Sequence, residues 1–291
     1  MKVFALQAQN LTILEAAEEA ASEFDASDPA VMEMLYACQK RHFWFASRNA
    51  AIAEFLLRVG LTPPARILEV GCGTGTVLAH LIERGYRCDG VDMHADLCRR
   101  AAMHCPDARI VCADIRNVKQ NTVDPDYSAV GLFDVIEHVD EPVSLLRAAA
   151  MLAAPGGLVV GTVPALKCLW SGADEVGGHR RRYNLSGLRS ELEAADLEVV
   201  AIRYFFQALT PVLYLQRLLM GRLPSDPQAR RRAALAHTLR IPPWPINLAL
   251  GAMCGLERLA ARALPLGGVP GASILFAART ERSASRTIPA V

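Results

Sequence analysis

The run Arg66-Ile67-Leu68-Glu69-Val70 is short and mostly apolar, and Gly71-Cys72-Gly73-Thr74-Gly75-Thr76 follows it without a break. Val77 to Arg84 then reads as a helix. Glycines are needed in such a turn because the backbone must reach positive φ and a ligand must come against bare main chain. A strand, a glycine turn and a helix in this order open a doubly wound α/β domain, whose first helical N–H groups face the crevice beyond the strand ends. A nucleotide-like ligand fits that crevice.

Spacing decides which ligand. The dinucleotide fingerprint is Gly-x-Gly-x-x-Gly. Counted from Gly71, its third glycine falls on Thr76; counted from Gly73, it falls on Leu78. The pattern that fits is acid-x-Gly-x-Gly-x-Gly, running from Glu69 through Gly71 and Gly73 to Gly75. This resembles the first motif of the class I S-adenosylmethionine-dependent methyltransferases, in which the loop wraps the methionyl part of the cofactor. The resemblance implies a Rossmann-like, seven-stranded α/β sheet whose last strand is antiparallel.

From Ala65 onward the alternation of apolar strands and helices is regular, which by itself indicates a parallel sheet with crossover helices. Strands are expected at Arg66 to Val70, Arg87 to Asp92, Arg109 to Ala113, Ser128 to Asp134, Leu158 to Val163, Glu198 to Phe206 and Ser273 to Ala278, with helices at Pro142 to Ala153 and Ser186 to Ala195. Asp92, at the end of the second strand with Met93 beside it, stands where a ribose diol would lie. By resemblance, Asp114 accepts from an adenine amino group, Ile115 packs on the ring, and Asp134 closes the cofactor site from the fourth strand.

Beyond that strand the chain reads Phe133-Asp134-Val135-Ile136-Glu137-His138-Val139. The segment resembles the Glu-His-Val stretch of the ubiquinone-pathway O-methyltransferases and their small-molecule relatives. A sulfonium is already a good leaving group, so such an enzyme chiefly aligns the acceptor and removes its proton. His138 is the candidate base. A second reading gathers Asp134, Glu137, His138 and His179 around a divalent metal that acidifies the acceptor, and a third leaves the segment as a helix cap. The following loop, Pro164 to Tyr183, holds Trp170, Asp174, His179 and Arg180-Arg181-Arg182. It reads as an acceptor loop in which His179 and Tyr183 face the substrate, Trp170 lines it and Arg182 holds an anionic group. The plainer alternative is a solvated basic stretch.

Residues 1–60 read as a helical cap on the 61–206 core. Within the cap, 11–24 is an alanine- and glutamate-rich helix, and a second helix from Ala30 leads into His42-Phe43-Trp44-Phe45-Ala46-Ser47-Arg48. These aromatics either pack the cap onto the core or, through Phe43 and Trp44, close over the substrate. The aromatic-x-x-x-Arg stretch resembles family caps in which the arginine takes the cofactor's carboxylate, so Arg48 is assigned that contact. Residues 207–271 form a helical insertion before the last strand, 272–279, with apolar helices split by Pro242-Pro243-Trp244-Pro245. A lid, a homodimer face or a bilayer-surface element all remain open for it, the scattered charges favouring the first two. Residues 280–291 read as a disordered tail.

Composition narrows the field. A net charge of +1 provides no global attraction for nucleic acid. Eight cysteines without a Cys-x-x-Cys pair, the lack of an apolar leader and the charges that break every long apolar run point to a reduced, cytoplasmic protein without a transmembrane span. The expected activity is methyl transfer from S-adenosylmethionine to an oxygen, with nitrogen next, of a small-molecule or lipid-linked acceptor. Two rivals stay open: a cyclase or lyase releasing methylthioadenosine from the same cofactor, and a non-catalytic cofactor-binding protein.

Overall fold

A computed structural model describes residues 10–13, 36–116, 126–219 and 240–281. Eight strands form one sheet: β1 (Leu11–Ile13), β2 (Arg66–Val70), β3 (Arg87–Asp92), β4 (Ile110–Cys112), β5 (Tyr127–Phe133), β6 (Ala153–Pro164), β7 (Leu197–Phe205) and β8 (Ser273–Thr280). Their order across the sheet is β1-β4-β3-β2-β5-β6-β8-β7. All pairings are parallel except those of β8, which runs antiparallel to both β6 and β7. Strand order reverses around β2, with β3 on one side and β5 on the other, so the crevice of a doubly wound sheet lies beyond the ends of these strands.

The eighth strand is a correction. Leu11–Ile13 was expected to open a helix, yet it pairs in parallel with β4 at the sheet edge. Asn10 accounts for this: its side-chain amide donates to the carbonyls of Ala102, Cys105 and Ala108 at 3.2, 3.0 and 2.8 Å, pinning the chain beside β4. The rest of the expected 11–24 helix, and the start of the next near Ala30, lie outside the described residues. At the other end, Thr280 belongs to β8 and not to a tail; residues 282–291 lie outside the described ones.

The described residues include eight α-helices: α1 (Phe43–Arg58), α2 (Thr76–Ile82), α3 (Ala95–His104), α4 (Pro142–Leu152), α5 (Gly172–Val176), α6 (Leu185–Ala194), α7 (Leu209–Leu219) and α8 (Trp244–Ala263). The start of α1 is fixed by His42, whose Nδ1 accepts from the Trp44 N–H at 3.1 Å. Ile52, Phe55 and Leu56 then fall on one stripe, all buried in the core. Burying each contributes roughly 1.5–3 kcal/mol, which is what holds the cap down. Helix α8 of the insertion packs along α1, with Asn247 accepting from the Phe43 N–H at 2.9 Å and Arg58 donating to the Ala261 carbonyl at 3.0 Å. Helices α1 and α8 are therefore packed together as one unit. Seven of the cysteines are buried and Cys168 is exposed, and none is joined in a disulfide.

Candidate active site

Strand β2 delivers the glycine loop to the centre of the crevice. Gly71, Gly73 and Gly75 have φ of 72°, 53° and 82°, the left-handed region that favours glycine. At Gly71 there is a second requirement: a Cβ would lie 2.7 Å from the Val135 side chain, so the loop meets the end of β5 only because that atom is missing. The neighbouring ends of β4, β3, β2 and β5 bring Asp114, Asp92, Glu69 and Asp134 to the same edge of the sheet.

Each acid is held differently. Asp92 accepts from the Gly73 N–H and the His94 N–H, both at 2.9 Å, and lies 3.1 Å from His94 Nδ1. Its carboxylate thus braces the loop from within the crevice. Met93 beside it is exposed. Asp114 takes a two-pronged contact from Arg116, Nε to Oδ1 at 3.0 Å and Nη2 to Oδ2 at 2.6 Å, while Ile115 packs into the core. Glu69 is buried and its Oε2 has no hydrogen-bond partner. Burial pushes its carboxyl up to about 8, with Asp92 adding to the rise and Arg48 opposing it.

Arg48 is buried and donates from Nη1 to Asp134 Oδ2 at 2.6 Å. Its other nitrogens reach Asn49 Oδ1 at 3.3 Å. Asp134 leaves β5 with φ of 58° and also accepts from the Thr162 hydroxyl at 2.8 Å. The arginine assigned to a cofactor carboxylate and the acid assigned to the same site therefore hold each other. Phe43 and Trp44 face the protein: Phe43 packs toward Gly251 of α8, and the Trp44 ring lies 4.3 Å from that of Phe206.

Beyond β5, Ile136–His138 makes a single 3-10 turn. His138 is exposed and meets the His179 ring edge-on at 4.8 Å between centroids. Beneath them Glu137 is fully buried with no hydrogen-bond partner for either oxygen. Burial, reinforced by the Asp134 charge, raises its carboxyl well above the ordinary range; Arg48 and Arg182 pull the other way. One ligand atom each from Glu137, His138 and His179 lie within 4.8 Å of one another, a spacing open to a metal ion. Asp134, the fourth ligand expected from sequence, is absent from this group because it is committed to Arg48 and Thr162.

The loop after β6 is organised by Asp174. This buried carboxylate accepts from the Ser171 N–H and hydroxyl at 2.8 and 2.9 Å, from His179 at 2.9 Å, and from Arg182 Nε at 2.7 Å and Nη2 at 3.2 Å. Burial alone would raise it; the His179 hydrogen bond and the Arg182 charge overturn that and hold it down to about 2. Arg182 also donates to the Ala165 carbonyl, so its fork is spent on the loop itself. Tyr183 pairs with Ala165 in a β-bridge that turns its ring into the core, with burial and the Glu191 charge raising its hydroxyl. Trp170 is half-buried at the end of the turn Lys167–Leu169. From this loop His179 is brought against the His138 ring, and Arg180 Nε donates to the His138 carbonyl at 2.9 Å.

A family model for a methyltransferase domain matches residues 42–202, more than half of the chain. This chain belongs to the methyltransferase family. The membership agrees with the class that the glycine loop resembles. Similar relatives include the ubiquinone biosynthesis O-methyltransferase of Alkalilimnicola ehrlichii, 29% identical over 142 residues, covering 48% of this chain and 56% of the relative. That of Serratia proteamaculans is 31% identical over 107 residues, covering 36% and 44%. The matched part thus spans about half the length of these curated relatives. Among solved structures, phosphoethanolamine N-methyltransferase 2 of Haemonchus contortus, in complex with S-adenosyl-L-methionine, superposes with a TM-score of 0.56 at 16% identity, covering 90% of this chain and 61% of that one. The cyclase SpnF superposes with a TM-score of 0.52 at 16% identity, covering 81% of each. These likenesses concern the fold, and the second shows that the fold is not tied to one reaction.

Three residues of the candidate site escaped the sequence reading. Thr162 is the polar member of an aliphatic strand, a signal that something at its level needs a hydroxyl. Asn49 links Arg48 to the glycine helix through the Thr76 carbonyl at 3.4 Å. His94 follows Asp92 by two positions and closes a turn on it; nothing in its own neighbourhood of sequence marks it.

Proposed function

We propose that this methyltransferase uses S-adenosylmethionine to methylate an oxygen, with nitrogen second, of a small-molecule or lipid-linked acceptor. The observation that carries the reading is the row of acids at the ends of β2, β3 and β4 around a loop whose three glycines all have positive φ. The residues present suit that cofactor. Glu69 keeps an unpartnered buried oxygen beside the loop, Asp92 offers a carboxylate at the place of a ribose diol, and Asp114 with Ile115 flanks the place of an adenine. Bound there, the cofactor supplies an electrophilic methyl on a sulfonium.

The chain's own contribution is to place the acceptor and take its proton. His138, exposed at the mouth and backed by His179, is the group positioned to accept it. His179 is in turn held through Nδ1 by Asp174, which makes it a positioning residue for His138. Titration calorimetry with S-adenosylmethionine and S-adenosylhomocysteine tests the reading. Saturable binding is expected, weakened in Asp92→Ala by the loss of charge-assisted hydrogen bonds of roughly 1.5–3 kcal/mol each. No binding at millimolar cofactor would overturn it.

A second reading rests on the spacing of Glu137, His138 and His179. A divalent ion held there would lower the acceptor's pKa, and Glu137 would have to release a proton on binding it. Undiminished turnover in the presence of a chelator would rule this out.

A further inference from the structure

An arginine interrupts an apolar row of the sheet where α1 and α8 meet it. On β7, Ala201, Arg203 and Phe205 alternate onto the same side, and Arg203 stands opposite Leu275 of β8. Ala201, Phe205 and Leu275 all pack in the hydrophobic core, so Arg203 is the polar exception among them. A cleft of about 30 Å³ opens at this point, where Glu54 and Arg58 of α1 meet Glu257 and Arg258 of α8 around Arg203. That is room for about two or three groups the size of a water molecule.

Three arginines and two glutamates line the cleft, and both glutamates are already engaged. Glu54 is shared by Arg258 and Arg262, each at 3.3 Å, and Glu257 accepts from the Ala208 N–H at 2.8 Å. Among the described residues no carboxylate forms an ion pair with Arg58 or Arg203; Arg58 donates instead to the Ala261 carbonyl at 3.0 Å. Arg203 Nε and Arg258 Nη1 are buried without a hydrogen-bond partner. Burial and the nearby Arg58 charge pull the Arg203 guanidinium below its ordinary range, with Glu257 and Glu54 opposing. A guanidinium keeps its proton in a protein, so the surplus positive charge stays. Water would satisfy the nitrogens but leave that charge unbalanced, whereas an oxyanion does both by accepting from two arginine forks at once. We infer that the cleft between α1, β7 and α8 binds a small oxyanion, a phosphate or carboxylate group. The site is separate from the proposed cofactor crevice: Arg58 stands ten positions beyond Arg48 on α1, about 15 Å along the helix.

Thermal unfolding of the full chain tests it, with inorganic phosphate and acetate titrated separately at an ionic strength held constant with sodium chloride. A saturable rise in melting temperature with at least one of the two anions is expected, and the tighter binder names the group that the cleft prefers. Arg203→Met keeps the apolar stem and removes the fork, so it should weaken that binding by about tenfold or more. Arg58→Gln, at an exposed position, should weaken it as well and decides the matter if Arg203→Met does not fold. No rise beyond that given by chloride, with either anion, would overturn the inference. So would a rise that the substitutions leave unchanged, since the anion would then sit elsewhere. Titration of S-adenosylmethionine in phosphate-free buffer keeps the two readings apart: Arg203→Met should bind cofactor as the wild type does, and a wild type that binds phosphate or acetate but no cofactor removes only the proposed chemistry.

Discussion

Replacing Asp174 by asparagine removes one charge and changes almost no volume, yet it strikes the group on which the loop after β6 converges. Five donors from Ser171, His179 and Arg182 end on that carboxylate. Holding it at about 2 against an ordinary 3.8 corresponds to about 2.4 kcal/mol, at about 1.36 kcal/mol for each tenfold change. Asparagine also leaves Arg182 short of a counter-charge, so the expected destabilisation at pH 7 is about 2.5–4 kcal/mol. The sign with pH follows from the depression: the stabilisation is present above 3.8 and is lost as pH falls through about 2. Urea unfolding of wild type and Asp174→Asn at a series of pH values measures both quantities. The gap between the two proteins should be widest near neutrality and close as the pH drops from 4 toward 2. A cost below about 1 kcal/mol at pH 7, or a gap indifferent to acid, would refute the view that this loop is built around a buried ionised carboxylate.

Other substitutions probe the crevice. His138→Ala should cut turnover by about a hundredfold, the range of a lost general base, while leaving cofactor affinity close to wild type; steady-state kinetics with cofactor titration checks it, and an equal fall in both would make the residue structural. Glu69 carries the opposite sign from Asp174. Because its folded carboxyl is raised to about 8, the stability it contributes is full below 4.5 and lost as pH rises through 8. Glu69→Gln should therefore flatten the fall in melting temperature of the cofactor-free protein between about pH 4.5 and 8, and a decline identical to wild type would show that the acid ionises without cost. Chelator added to wild type should leave the rate unchanged if proton removal rests on His138 alone, and abolish it if Glu137, His138 and His179 hold an ion.

Much of this architecture could be read from the chain because its signals are local. Strand β2 and strand β3 follow from short runs bounded by turn residues, and their observed limits coincide with the expected ones. The edge strand could not be read: Leu11–Ile13 lies beside β4 because the Asn10 amide finds three carbonyls almost a hundred residues away, and no local preference encodes that. The candidate site divides the same way. Gly71, Gly73 and Gly75 declare themselves by spacing, since backbone geometry is a local demand. The partnerships of Arg48 with Asp134 and of Arg182 with Asp174 do not, because an arginine fork aimed at a ligand and one aimed at a neighbouring acid look alike in sequence. Tyr183 illustrates the cost: a tyrosine in a polar loop suggested an outward ring, but its bridge to Ala165 faces it into the core.

Strand β8 fills the space between β6 and β7 and runs against both. While the polypeptide is still emerging, β6 and β7 cannot be neighbours in their final places; each waits with a bare edge until the insertion has been made and the later strand slides between them. Shortening the protein ahead of Ser273 would thus leave β7 without a ladder partner and β6 with a bare edge, whereas a cut that spares β8 leaves these ladders closed.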